Sequence, residues 1–145
     1  MKNPAVIIGD AMKPMQAQWA AVAAVLPAKL LHLVHLRTSQ VNGCSFCVDA
    51  AWKHGTKDGD TPERLFAVTA WRHSQLFTDA ERAALALAES LTRIADAMDP
   101  VPDAIWADAA KHYDEHQLAA LVLAIGTVNV WNRCNVATRQ LPGQW

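Results

Sequence analysis

Residues 28–55, "AKLLHLVHLRTSQVNGCSFCVDAAWKHG", decide the fold. From Ala28 to Gln40 the apolar residues Leu30, Leu33, Val34 and Leu36 fall mostly on one side of a helix, a 3.6-residue period rather than strand alternation. Asn42-Gly43 is a strong local break. After it the chain restarts as a short helix, opened by Cys44 and Cys47 and ending near His54-Gly55. The two cysteines therefore stand at a helix start.

The same period recurs outward in both directions, and no run alternates as a strand does, so the fold class is all-α. Upstream, a helix is expected from Met15 to Leu26, stopped by Pro27, which cannot extend a helix interior. Downstream, "TPERLFAVTAWRHS" starts with Thr61 as N-cap, Pro62 at the first helical position and Glu63 in the first turn. "TDAERAALALAESLTRI" carries a capping box, Thr78 with Glu81 three residues on. A shorter helix follows Pro102, and a long last one spans "DEHQLAALVLAIGTVNVWNRCNVATRQ", with its exit marked by Pro142-Gly143. Between Leu118 and Trp131 this last helix is apolar nearly all round, which places it at the centre of a bundle or in a subunit interface, with Gly126 admitting a close neighbour. No repeat, low-complexity tract or linker divides the chain, so residues 1–145 are expected to form one domain.

Thirteen basic against fourteen acidic residues leave a net charge of −1, which carries no electrostatic footprint for nucleic acid or anionic lipid. The apolar run from Ala5 to Gly9 is too short for a signal-peptide core and no later stretch could cross a bilayer, so a cytoplasmic location is expected. Three cysteines, two of them in a C-x-x-C, are unlike the even, dispersed cysteines of a disulfide-framed secreted domain.

Two sulfurs one helical turn apart can close a small disulfide with little backbone movement. Three readings of "CSFC" stand open: a redox dithiol, a zinc site completed by His54 with His32 or His35, and two small inert core residues. A thiol is mostly protonated at neutral pH, so the redox reading needs something that stabilises the thiolate. A helix start supplies unpaired N–H groups and partial positive charge. Cys134, within "VWNRCNVATR", reads as a packing residue, Asp49 as solvated or paired, and the six tryptophans as core and interface filling.

Three segments, "LHLVHLRTSQVNGCSFCVDAAWKHG", "ERLFAVTAWRHSQLFTDAERAALALAESLT" and "LVLAIGTVNVWNRCNVATR", together resemble the carboxymuconolactone decarboxylase and alkylhydroperoxidase D (AhpD) family, in its C-x-x-C branch. The resemblance spans about residues 28–139. It implies an AhpD-like helical bundle of about six to seven helices, assembled as homo-trimers or as hexamers built from them. It also implies an antioxidant peroxidase that reduces organic hydroperoxides without a metal or flavin cofactor, its disulfide being re-reduced by a dithiol donor such as a lipoyl or thioredoxin-like protein. By match to the motif, Cys47 is the peroxidatic cysteine and Cys44 the resolving one, whereas helix position alone favours Cys44 as attacker.

The chain departs from the family in the proton relay. The histidine expected four residues after the second cysteine is Ala51, and the glutamate twelve residues before the first is His32. His54 lies about 10 Å along the helix from Cys47, beyond hydrogen-bond reach. His32 is then the candidate base, because an imidazole with an ordinary pKa near 6.5 can accept a thiol proton and stabilise the thiolate. The alternatives are an oligomeric redox sensor or binding protein with impaired catalysis, and a decarboxylase-branch enzyme acting on a small lactone or acid.

Overall fold

A computed structural model of the chain describes residues 1–143, so Trp145 lies outside the described residues. Among them there are eight α-helices and no strand: α1 (Pro4–Ile7), α2 (Gly9–Ala23), α3 (Ala28–Val41), α4 (Ser45–Lys57), α5 (Pro62–Ala67), α6 (Asp79–Thr92), α7 (Asp103–Ala110) and α8 (Glu115–Ala137). Two 3-10 segments, Val68–His73 and Ile94–Asp96, follow α5 and α6.

Helix α3 is the hub. Its Leu30, Leu31 and Val34 join one apolar cluster with α2, α6, α7 and α8, around Leu87, Leu121 and Ile125. Leu33 and Leu36 join a second, with Ala51, Leu65, Val68, Trp71, Phe77 and Leu85. A helix buried on two sides loses the clear polar face that α6 keeps, and among the described residues α3 packs more extensively against α4 than against any other helix. Gly55 of α4 lets α5 come close, since a β-carbon there would stand 3.1 Å from both Leu65 methyl groups, while His32 Cβ of α3 would lie at an ordinary contact distance of 3.5 Å.

Local signals fix most helix starts. Thr61 accepts the Arg64 N–H, and both halves of the Thr78–Glu81 box form. Asp114 and Gln117 make a second box at the start of α8, which the sequence reading passed over. At the N-terminus α2 begins at Gly9, not Met15, and passes through exposed Pro14, where only one helical bond is lost on the solvent side. Its last turn continues to Leu26, whose N–H reaches the Val22 carbonyl, so Pro27 does end it. The "TPERLFAVTAWRHS" helix gives way to a 3-10 turn bent at Ala70, which aims Trp71 at the core, where its indole N–H donates to Glu89.

Helix α8 is apolar on its exposed as well as its buried face. Leu121, Ala124, Ile125 and Val128 are buried, but Leu123, Val130 and Val136 are each more than two-fifths exposed. Gly126 is also exposed, and among the described residues nothing would come within 4 Å of a β-carbon there. Of the tryptophans, Trp71 is core, Trp19 and Trp131 pack against each other with ring centroids 5.0 Å apart, and Trp52 and Trp106 are about two-fifths exposed.

Candidate redox-active site

The turn before the cysteines is held from α8. Gly43 takes a positive φ of 66°, and the Cys44 N–H returns to the Ser39 carbonyl at 3.0 Å. Asn42 donates to Asn129 Oδ1 at 3.0 Å and to Asn132 Oδ1 at 2.8 Å, and the Asn132 amide donates in turn to Ser39 Oγ at 3.0 Å. Asn132 is 1% exposed. A buried amide network of this kind fixes one register of α3 on α8, and with it the point where α4 starts.

Cys44 is the N-cap of α4, and its Sγ accepts the Cys47 N–H at 3.3 Å. The two cysteines form a disulfide across the first turn, with Cα atoms 5.3 Å apart. Each is 2% exposed. A pocket of about 240 Å³ opens onto Cys44 between Gly43, Asn135, Val136 and Arg139. Beside it, an apolar groove of about 640 Å³ runs from Gly43 and Ser45 along Val48, Trp52, Leu65 and Phe66.

The side chain that meets Cys47 is one the sequence reading did not single out. Asn135 of α8 donates from Nδ2 to Cys47 Sγ at 3.3 Å, and its Oδ1 accepts from Asn3 Nδ2 at 2.6 Å. The signal lay in "NVWNRCN": asparagines at 129, 132 and 135 recur every three residues, a polar stripe on one face of an otherwise apolar helix.

His32 is not brought to the dithiol. It faces the other end of α4, beside Gly55, about 12 Å along the helix axis from Cys47. There its Nε2 pairs with Asp58 at 2.6 Å, holding that carboxyl below its ordinary pKa, and its ring lies parallel to His54 at 6.4 Å. The cause is the pairing of the two helices: position 32 falls opposite the last turn of α4, and an imidazole is too short to span the distance. His54 belongs to this same distant pair. Asp49 is paired with Lys53 at 2.8 Å, and Cys134 is free and half-buried next to Asn135. Among the described residues no three His, Cys, Asp or Glu side chains are grouped to hold a metal ion.

Ala51, where the family relay has its histidine, is fully buried in the apolar cluster of Leu33, Leu36 and Leu65. Ala51→His forces a larger, polar ring into that space, so a loss of about 2 kcal/mol is expected in chemical denaturation. A variant as stable as the parent would show that the cluster has room for the imidazole.

His35, one turn along α3 from His32, is buried against Trp19 and Trp131, with ring centroids 6.0 Å from each. Burial, with smaller contributions from His32 and His54, lowers its pKa to about 4. Below pH 6.5 the unfolded chain binds a proton here that the folded chain refuses. Stability is thus intact above pH 6.5 and falls as pH drops toward 4, by up to about 3 kcal/mol. The melting temperature should decline over that window in the wild type and less in His35→Phe; equal declines would clear His35 of the effect.

The fold and site define an all-α, C-x-x-C protein of the AhpD type. The chain belongs to the carboxymuconolactone decarboxylase family, whose model matches residues 10–90. It is 39% identical over 105 residues to the uncharacterized protein YdfG of Bacillus subtilis, covering 72% of this chain and 70% of that one. It is 36% identical over 112 residues to the uncharacterized protein YnjA of Escherichia coli, covering 77% of this chain and 59% of that protein. Among solved structures, a protein of unknown function from Agrobacterium tumefaciens, a candidate AhpD antioxidant-defence protein, superposes with TM-score 0.90 at 31% identity, over 99% of this chain and 97% of that one. The debrominase Bmp8 shares the fold at TM-score 0.82 and 20% identity, over 94% of this chain and 73% of its own.

Proposed function

We propose that this protein is a thiol-dependent peroxidase that reduces organic hydroperoxides through a Cys44–Cys47 dithiol/disulfide cycle. The observation that carries the reading is the disulfide closed over the first turn of α4, with a hydrogen-bond donor on Cys47 Sγ and a pocket opening beside it. The Cys47 thiolate attacks the distal oxygen of the hydroperoxide. The O–O bond breaks, Cys47 becomes a sulfenic acid, and the alkoxide takes a proton from water and leaves as an alcohol. The Cys44 thiol then displaces water from the sulfenic acid and the disulfide forms. A dithiol donor of the lipoyl or thioredoxin-like kind reduces it, becoming a disulfide itself. The apolar groove beginning at Gly43 and Ser45 supports an organic substrate, and the candidate antioxidant role of the 31%-identical Agrobacterium protein is consistent with the reading.

Assembly into trimers or hexamers belongs to the same proposal, supported by outward-facing Leu123 and Val130 on either side of exposed Gly126. No helix among the described residues is long and apolar enough to cross a membrane.

The test is stoichiometry followed by turnover. Reduced protein should consume one equivalent of cumene hydroperoxide per chain as its two thiols disappear, then many equivalents once dihydrolipoamide is supplied. A second reading, a redox sensor, is favoured by the burial of both sulfurs and by Ala51 in place of the relay histidine. Disulfide formation without turnover under any dithiol reductant would select it, and turnover of a small lactone by protein lacking both cysteines would instead select the decarboxylase branch.

A further inference from the structure

Resting on the peroxidase reading of this site, we propose that Asn135 is the residue that makes Cys47 the reactive thiolate, and that Asn3 is the positioning residue that keeps the Asn135 amide facing it.

The helix start by itself favours the other sulfur. Cys44 caps α4, and the backbone N–H of Cys47 points at Cys44 Sγ. A thiolate at Cys44 would use that N–H, as any N-cap acceptor does. Cys47 sits one turn inside the helix, where the amide of its own turn is already committed to Cys44. Its sulfur takes a donor from another helix instead, Asn135 Nδ2 at 3.3 Å. A disulfide sulfur is a weak acceptor and a thiolate a strong one, so this contact gains most when Cys47 is reduced and ionised.

An asparagine amide can present nitrogen or oxygen to a neighbour, and an oxygen facing Cys47 would repel the thiolate. Here the orientation follows from a backbone group that has only one role. The Ala5 N–H at the start of α1 can only donate, and it does so to Asn3 Oδ1 at 2.9 Å. With its oxygen so engaged, Asn3 turns Nδ2 to Asn135 Oδ1 at 2.6 Å. That engages the Asn135 oxygen and leaves its nitrogen for Cys47. The polarity is thus passed from a peptide N–H through two side chains to the sulfur, and the N-terminal segment becomes part of the active site.

This arrangement takes over one task of the missing relay. The imidazole that the family places one turn after Cys47 is Ala51 here, and Asn135 accepts no proton in its place. The Cys47 proton is released to water, and the anion is stabilised by donated hydrogen bonding rather than by a neighbouring base. Such stabilisation lowers a thiol pKa without adding a titrating group.

The experiment titrates each cysteine alone, by thiolate absorbance at 240 nm, with no hydroperoxide present. In a Cys44→Ser background, Asn135→Ala should raise the Cys47 pKa by about one pH unit, the size of a hydrogen bond to a charged group. Asn135→Asp should raise it further, because it adds a negative charge. Asn3→Ala should produce a smaller rise in the same direction, since it frees the amide to turn. In a Cys47→Ser background the Cys44 pKa should not respond to Asn135→Ala. An unchanged Cys47 titration, or equal rises at both cysteines, would overturn the proposal. Because no peroxide enters the measurement, a positive titration with no peroxide turnover in the wild type rejects the peroxidase reading while leaving the Asn135 assignment intact.

Discussion

Replacing Cys47 by serine is expected to abolish the proposed hydroperoxide consumption, down to the rate of the protein-free control, whichever dithiol is supplied. Serine preserves the shape of the site, but its hydroxyl stays protonated near neutral pH and no base stands beside position 47, so no nucleophile remains at that position, and Cys44 has no donor from Asn135 to take its place. Cys44→Ser has a different signature. The Asn135 amide still faces Cys47 Sγ, so the first oxidation should proceed, consume one equivalent and stop at the sulfenic acid for lack of a resolving thiol. Dimedone trapping at Cys47 in that variant, read by mass spectrometry, distinguishes the two roles. Trapping at Cys44 in Cys47→Ser, with rapid peroxide consumption, would reverse the assignment and restore what helix position alone favours.

A loss of about 3 kcal/mol is expected for Arg64→Ala, the largest effect on stability among single substitutions outside the core clusters. Arg64 joins the start of α5 to the start of α6. Its Nε donates to Asp60 at 2.8 Å, its Nη2 to Glu81 at 2.7 Å and its Nη1 to the Leu76 carbonyl, while the guanidinium lies 5.2 Å from the Phe77 ring centroid. Asp60 is 5% exposed and its Oδ2 has no hydrogen-bond partner, so removing the cation leaves a buried carboxylate held only by the Thr61 N–H on Oδ1 at 3.0 Å, with no opposite charge. The charge left behind, rather than the lost contacts, dominates the effect. The double variant Arg64→Ala/Asp60→Asn should therefore be more stable than Arg64→Ala alone, with urea midpoints as the measure. A double variant that adds the two single losses would show that packing of the guanidinium stem, and not the stranded charge, carries the stability.

Much of the fold was legible along the chain because its signals are local. Apolar spacing, the Asn42-Gly43 break, the Thr61 cap and the Thr78–Glu81 box each need only a few consecutive residues, and each recurs in the structure. The errors sit where a local rule was outweighed. Helix α2 begins at Gly9 rather than Met15 and runs through Pro14 in its interior, and Val68–His73 leaves the α-helix where Trp71 reaches Glu89. Within the described residues the close-approach glycine is Gly55, against Leu65, while Gly126 is exposed on α8, a distinction that depends on which helix lies opposite.

The sequence by itself determined an all-helical chain, placed two cysteines at the start of a helix, and carried the segments that mark the family. These are properties of spacing and order, set by the geometry of one turn of helix. Tertiary structure alone decided what surrounds the sulfurs. It set His32 against Asp58 at the far end of α4 from Cys47, enclosed Ala51 in leucine side chains, and carried Asn135 to the dithiol, with Asn3 behind it, from positions 88 and 44 residues away. The physical reason is that the partner of a side chain is chosen by how whole helices pack. The pairing of α3 with α4 and the asparagine stripe of α8 are summed over many contacts, and no single stretch of chain contains them.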